Sequence, residues 1–71
     1  MDFSARLLFL RKSRGLTQKQ LADALALSEI AIQNYEARRR RPAFDVLLAL
    51  ADYFDVSLDY LVGRSDVKDL V

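Results

Sequence analysis

The sequence predicts an all-α domain, and three features lead to this prediction. The 71-residue chain contains only two glycines and one proline, so few positions would interrupt a helix. Hydrophobic residues make up 52% of the chain and recur at spacings of three and four, as on the buried face of an amphipathic helix. No segment has the pattern of a β-strand. A chain of this length forms one domain, and its folding buries only about 60% of the unfolded surface.

The first two helices are predicted from their capping residues and buried faces. Asp2 or Ser4 would cap the first helix and Gly15 would end it. Its inward stripe has spacings of four and three residues: Phe3, Leu7 and Leu10. Thr17 and Gln20 fit a capping box at the start of the second helix. The buried residues of this second helix would be Leu21, Ala22 and Leu25.

A third helix would begin after Ser28, a favourable capping residue that follows a short connector. It would run to about Ala37, with Ile32 and Tyr35 facing inward. The chain therefore carries two short helices joined by a tight connection.

Pro42 marks the next boundary, because proline removes a backbone donor and fixes its own φ angle. A fourth helix is predicted from Phe44 to Phe54. Its inward residues would be Leu47, Leu48, Leu50, Ala51 and Phe54. Ser57 would cap a fifth helix that ends at Gly63.

The charges are distributed unevenly along the chain. Residues 1–41 hold nine basic and four acidic side chains, a net of +5, whereas residues 42–71 hold two basic and six acidic ones, a net of −4. A basic cluster raises the local potential whatever the total charge, so the first part is expected to face a polyanion. Four consecutive arginines, 38–41, precede the proline. This run leaves three interpretations open: a solvated surface, a targeting signal or a contact for a negatively charged partner.

The residue types exclude most kinds of active site. The chain has no cysteine and no histidine, which removes disulfides, thiol nucleophiles, imidazole bases and nearly all zinc sites. Two carboxylate pairs at helical spacing, Asp52 with Asp55 and Asp66 with Asp69, are interpreted as solvated charge. The sequence therefore predicts no enzyme, no metal and no cofactor.

The sequence also gives no sign of a membrane protein. No apolar run approaches the roughly 18 residues that span a bilayer. The amino end lacks the small-residue cleavage site of a signal peptide. A cytoplasmic protein that does not bind a membrane is expected.

Two segments carry a resemblance to a known family. LRKSRGLTQKQLADALALSEIAIQNYEARRRRP, followed by LLALADYFDVSLDYLVGR, resembles the Cro/C1-type helix-turn-helix family of bacterial and phage transcriptional regulators, also called the xenobiotic-response-element family. The match covers about residues 3–64, and the residues at the family's spacing are Gln18, Ala22, Ile32, Glu36 and Pro42. The resemblance implies a five-helix bundle of the lambda-repressor-like type, with helices two and three forming the helix-turn-helix.

Domain organisation and function follow from the same resemblance. It implies a DNA-binding domain over residues 1–64 and a carboxy-terminal tail over residues 65–71. The expected function is a sequence-specific regulator, most simply a repressor, that binds a double-stranded operator as a homodimer with helix three in the major groove. The sequence indicates no small-molecule effector. The alternative is an antitoxin or adaptor that uses the same fold to hold a protein, with its acidic half as the docking face.

The chain departs from the family pattern at two places. Ala26 stands where the family usually has glycine in the turn between helices two and three. If the backbone there is left-handed, its β-carbon costs about 1 kcal/mol or more. Ala37 and Arg38 replace the asparagine and glycine that often close helix three. This second departure favours a longer helix three and leaves the register of the arginines open.

The outward face of helix three supplies the candidate base-contacting residues: Glu29, Ile30, Ala31, Gln33 and Asn34. Amide side chains such as Gln33 and Asn34 can pair bidentately with adenine, Glu29 can accept from cytosine, and Ile30 can pack on a thymine methyl group. The alternative is an ordinary solvated helix face. The candidate phosphate-contacting residues flank this face: Gln18, Ser28, Arg38, Arg39, Arg40 and Arg41. For Gln18 the alternative is a local capping role.

Two further groups of residues have expected structural roles, the first implied by the resemblance and the second a hypothesis from exposed apolar residues. Arg11 and Glu36 match a family pair that crosses the bundle and fixes how helices one and three meet. A two-fold dimer contact is expected from helix five and the tail, with the candidates Leu58, Leu61, Val62, Val67 and Leu70. The alternative is a frayed tail on a monomer.

Overall fold

The computed structural model describes residues 1–68, and within this range the chain is helical with no strand. Five helices follow one another in the order α1 (Phe3–Ser13), α2 (Gln18–Ala24), α3 (Glu29–Glu36), α4 (Phe44–Phe54) and α5 (Leu58–Leu61). The predicted all-α, five-helix fold class is confirmed.

The amino ends of the helices follow the capping chemistry of the sequence. Thr17 and Gln20 cap α2 reciprocally, and the side chains of Ser28 and Ser57 accept the capping hydrogen bonds of α3 and α5. Asp2, rather than Ser4, caps α1. The α4 helix differs, because its N-cap residue is Ala43, whose side chain cannot accept a capping hydrogen bond.

The carboxyl ends of the helices share one backbone geometry. Each helix is followed by a residue with positive φ: Gly15, Ala26, Arg38, Asp55 and Gly63. The amide after each of these residues donates back to a carbonyl five residues earlier, as in Arg39 to Asn34 at 3.0 Å. The turn at Ala26 is therefore left-handed. The expectation of a longer helix three was wrong, because Arg38 adopts φ 61° and turns the chain out of the helix.

The core lies between four packed helix pairs: α2 with α3, α3 with α1, α1 with α5, and α5 with α4. Its most buried large side chains are Leu7, Leu21, Ile32, Leu50 and Leu61. Two sequence-based expectations need correction. Leu61 is 0% exposed, so this core residue offers nothing to a dimer surface. Leu48 is 40% exposed, because it lies beside the inward stripe of α4 rather than on it.

Gly63 allows the amino terminus to pack against the end of α5. A β-carbon at Gly63 would lie 2.0 Å from the Met1 carbonyl oxygen, and its φ is +86°. We expect Gly63→Ala to destabilise the domain through both backbone strain, about 1–2 kcal/mol, and the collision. Gly15→Ala is the matched control, since Gly15 has φ +67° and nothing within 4 Å of an added β-carbon. Urea denaturation should show the larger loss for Gly63→Ala, and equal losses would contradict this packing.

Candidate nucleic-acid interface

The α3 helix is fixed in the domain by one side and exposed on the other. Ile32 is 0% exposed and Tyr35 is 7% exposed. Tyr35 meets the ring of Phe3 edge to face, with centroids 6.3 Å apart. Ser4, buried on α1, donates its hydroxyl to the Tyr35 carbonyl. These contacts determine which residues of α3 face outward.

The outward face of α3 holds the five residues that the sequence suggested for base contacts. Glu29 and Ile30 are exposed, and Ala31, Gln33 and Asn34 are partly exposed. Ile30 is 66% exposed, so its side chain is free to contact a partner. This face combines an apolar side chain, two amides and one carboxylate, which suits the edges of base pairs.

The four arginines after α3 have different surroundings. Arg38 forms an ion pair with Asp2, and the Arg39 Nε donates to the Asn34 Oδ1 at 3.1 Å. Arg40 and Arg41 are exposed and form no ion pair within residues 1–68. The run is therefore not one uniform cationic surface.

A shallow depression of about 480 Å³ brings several predicted site residues together. It lies between α3 and the start of α4. Candidate base-contacting and phosphate-contacting residues both line it: Ser28, Ile30, Ala31, Asn34, Arg40 and Arg41. Glu29, Gln33 and Gln18 lie outside this depression. Apolar, amide and cationic groups thus occupy neighbouring positions on one surface.

A hydrogen-bonded network joins α1, α2 and the end of α3. The Arg11 Nε lies 2.6 Å from the Glu36 Oε2, and the Arg11 Nη2 lies 3.0 Å from the Glu36 Oε1. Arg11 also donates to the Leu16 carbonyl at 2.8 Å. Both charged side chains are at most 10% exposed. The predicted pair between Arg11 and Glu36 is present and bidentate, the strong geometry for arginine and carboxylate.

Gln18 belongs to the same network. Its Nε2 donates to the Glu36 Oε1 at 3.0 Å. A side-chain amide nitrogen carries two hydrogens, so one donor remains for another acceptor. Glu36 therefore orients the Gln18 side chain and leaves one of its amide hydrogens available to another acceptor. Ser28 is similar, because its oxygen accepts from the Ala31 amide at 3.0 Å while its own hydroxyl hydrogen stays available.

The pairing of Asp2 with Arg38 changes the acidity of both groups. The hydrogen bond from Arg38, followed by the one from the Ala5 amide, lowers the pKa of Asp2 below its ordinary value. The hydrogen bond to Asp2 raises the pKa of Arg38. Asp2 therefore remains ionised to lower pH than a free aspartate, and both residues stay charged at neutral pH.

Two residues that the sequence analysis did not assign to a contact have defined roles. Asp2 was considered only as a cap, and nothing local connects it with Arg38, which lies 36 positions away. Arg6 is 5% exposed, with its guanidinium carbon 3.8 Å from the centroid of the Tyr60 ring. It also reaches the Ser65 carbonyl at 3.5 Å. Its position on the same helix face as Phe3 and Leu10 was a signal that could have identified it.

The candidate dimer residues are only partly available. Leu58 and Val62 are half-buried, and Val67 is 56% exposed. Leu70 lies outside the described residues. Among the described candidates, Leu58, Val62 and Val67 have exposed surface for the predicted two-fold contact.

Residues 1–68 contain no group of three or more acidic side chains placed to hold a metal ion. No helix in this part of the chain has the length and apolar character needed to cross a bilayer.

The fold and this surface define a helix-turn-helix domain, with α2 and α3 as the motif. A model of the helix-turn-helix family matches residues 7–61. The chain belongs to the Cro/C1-type helix-turn-helix family of transcriptional regulators.

Individual relatives have similar descriptions. The chain is 39% identical over 67 residues to an uncharacterized HTH-type transcriptional regulator, YobD, of Bacillus subtilis, an alignment that covers 94% of this chain and 60% of that protein. It is 39% identical over 68 residues to the regulator ImmR of the same bacterium, covering 96% and 54%. It is 34% identical over 64 residues to the cryptic phage CTXphi transcriptional repressor RstR of Vibrio cholerae, covering 90% and 57%. The chain therefore spans only 54% to 60% of the length of these relatives.

Proposed function

We propose that the chain is a transcriptional regulator that binds a specific double-stranded DNA site in the cytoplasm by placing α3 in the major groove. The observation that carries this proposal is the surface shared by Ile30, Ala31 and Asn34 of α3 with Arg40 and Arg41. A partner that fits it must offer apolar and hydrogen-bonding groups beside negative charge, and base pairs flanked by phosphates do so.

Base contacts in this proposal come from the outward face of α3. Asn34 and Gln33 pair with adenine, Glu29 accepts from cytosine, and Ile30 packs on a thymine methyl group beside Ala31. Asn34 accepts from Arg39 in the free protein. It exchanges this partner for a base, and Arg39 is then released toward the backbone of the DNA.

Phosphate contacts come from residues around α3. Arg39, Arg40 and Arg41 carry the charge that orients the domain. Gln18 uses its second amide hydrogen, while its bond to Glu36 holds it in place. Ser28 donates its hydroxyl hydrogen.

The proposed assembly is a homodimer on a pseudo-palindromic operator. Leu58, Val62 and Val67 supply the described part of the contact, which places two α3 helices about 34 Å apart. A regulator bound in this way represses by occupying the operator. The Vibrio relative is described as a repressor and a relative from Enterococcus faecalis, 33% identical over 70 residues, as an activator, so repression rests on the occupied operator alone.

Asn34→Ala is the substitution that tests base reading. It should weaken binding to the cognate duplex by about 1–3 kcal/mol and leave random DNA almost unaffected. The cognate duplex is first selected from a random pool with the wild-type protein, and affinities are then measured by fluorescence anisotropy.

Lys12→Ala is the control, because it removes a charge from an exposed position on α1. Equal weakening of cognate and random DNA by Asn34→Ala would contradict base reading. Failure to select any duplex, together with co-purification of a small protein, would favour the antitoxin or adaptor instead.

A further inference from the structure

The Asp2–Arg38 pair links the amino terminus to the turn that follows α3. The Arg38 Nε lies 2.8 Å from the Asp2 Oδ2, and the Arg38 Nη2 lies 3.0 Å from the Asp2 Oδ1. Both carboxylate oxygens are engaged, which fixes the plane of the guanidinium as well as its distance. The ion pair is exposed to solvent, but its two hydrogen bonds define the orientation of the Arg38 side chain.

Asp2 is itself held in place by three contacts around it. Its Oδ1 also accepts from the Ala5 amide at 2.9 Å, the capping bond of α1. The carbonyl of Met1 packs against Gly63, where a β-carbon could not fit. Phe3 packs against Tyr35 of α3. Asp2 is therefore part of the folded domain rather than of a free arm.

Arg38 occupies a backbone position that favours glycine. Its φ is 61°, a left-handed conformation that strains a residue with a β-carbon. The turn is closed by the Arg39 amide, which donates to the Asn34 carbonyl at 3.0 Å. Because the Arg38 side chain binds Asp2, the ion pair fixes the direction in which the backbone continues after α3. The next three residues are the remaining arginines of the run.

We propose that Arg38 is a positioning residue, which binds Asp2 instead of phosphate and thereby sets the direction of Arg39, Arg40 and Arg41 at the DNA backbone. This inference rests on the proposed function, and it removes Arg38 from the set of phosphate contacts. The guanidinium of Arg38 pairs with Asp2 in a depression that Arg40 and Arg41 also line, and Arg40 and Arg41, unlike Arg38, line the depression beside α3 as well. The salt dependence of binding is thus carried by the last three arginines.

The test uses single and double variants of the intact chain. Asp2→Asn removes the carboxylate and keeps a favourable capping residue. Arg38→Gly removes the guanidinium and suits the positive φ. We expect each variant to weaken cognate and random DNA alike by up to roughly fivefold, the most that an exposed ion pair contributes. The double variant should be no weaker than the single ones, and the slope of log affinity against log salt should stay unchanged in all three.

Arg40→Ala is the control, because loss of a phosphate contact should lower that slope by about 0.9. Backbone ¹⁵N relaxation in the free protein adds a second measurement, with greater mobility of residues 39–41 expected in both single variants. If Arg38 contacts phosphate and Asp2 merely competes for it, Asp2→Asn will strengthen binding and Arg38→Gly will lower the slope. Either result overturns the positioning role. Absence of salt-dependent DNA binding by the wild-type protein would instead overturn the proposed function.

Discussion

Glu36→Ala is expected to lower the free energy of unfolding by about 3–5 kcal/mol, the loss typical when one partner of a buried ion pair is removed. Arg11 would keep its bond to the Leu16 carbonyl but lose both contacts to the carboxylate, in a site where its side chain is 10% exposed. Gln18 would lose its acceptor as well. Small domains have total stabilities of about 5–15 kcal/mol, so this variant should melt far below the wild type.

A matched control comes from a second ion pair on the same part of the molecule. Lys19 and Asp23 lie 3.5 Å apart on α2, with side chains 70% and 67% exposed. Lys19→Ala should change stability by less than about 1 kcal/mol, because solvent screens an exposed pair. Thermal and urea denaturation, followed by circular dichroism, would measure both variants. A Glu36→Ala protein that melts like the wild type but has lost DNA specificity would contradict the structural assignment.

Replacing both partners of the ion pair separates two quantities: the net stabilisation that the pair contributes, and the penalty for leaving one buried charge without its partner. Arg11→Met combined with Glu36→Leu removes the pair without leaving an isolated buried charge. We expect this double variant to be more stable than Glu36→Ala. Gln18 would still lack its acceptor, so its position at the start of α2 would be less restricted. The network therefore couples stability to the proposed phosphate contact of Gln18.

Local chemistry explains why so much of the fold was predictable. The residues Thr17, Ser28 and Ser57 bind amides three positions ahead, so their effect is contained within a short stretch of sequence. The inward stripes are equally local, since they repeat with the period of the helix itself. Together these signals were sufficient to predict the starts of α2, α3 and α5.

The predictions from the sequence failed where the local structure depends on a residue that is far away in the chain. Helix three ends at Glu36 although no glycine follows, and Arg38 instead adopts the left-handed turn while it binds Asp2. That pair joins positions 36 residues apart and leaves no periodic trace in the sequence. Leu61 was assigned to a surface because its apolar character does not distinguish a core from an interface. The outward face of α3 was easier to predict, since Ile32 and Tyr35 facing inward determine the opposite face.

The turn after α3 is where most of these interactions converge. Ser4 binds the carbonyl of Tyr35, Arg11 and Gln18 bind Glu36, and Asp2 binds Arg38. These contacts come from α1, α2 and the amino terminus. A preorganised turn reduces the conformational entropy that binding would otherwise cost. The position of the backbone just before Arg39, Arg40 and Arg41 is therefore fixed by these contacts.

Replacement of Arg40 and Arg41 together by alanine is expected to lower the slope of log affinity against log salt by about 1.8, since each lost phosphate contact removes about 0.9. The affinity deficit of this variant would shrink roughly tenfold between 50 and 200 mM salt. Cognate and random duplexes should weaken in parallel, because phosphates carry no sequence information. Fluorescence anisotropy at four or more salt concentrations gives the slope directly.

The charge-matched control is a double replacement of Arg64 and Lys68 by alanine, in the acidic part of the chain. Arg64 is exposed near Asp59 at 4.0 Å, and Lys68 is also exposed. This control removes the same two positive charges, so any effect of net charge alone would appear in both variants. We expect its slope to match the wild type. If both double variants lower the slope equally, or if neither does, Arg40 and Arg41 form only a solvated surface, because a specific phosphate contact depends on where the charges lie.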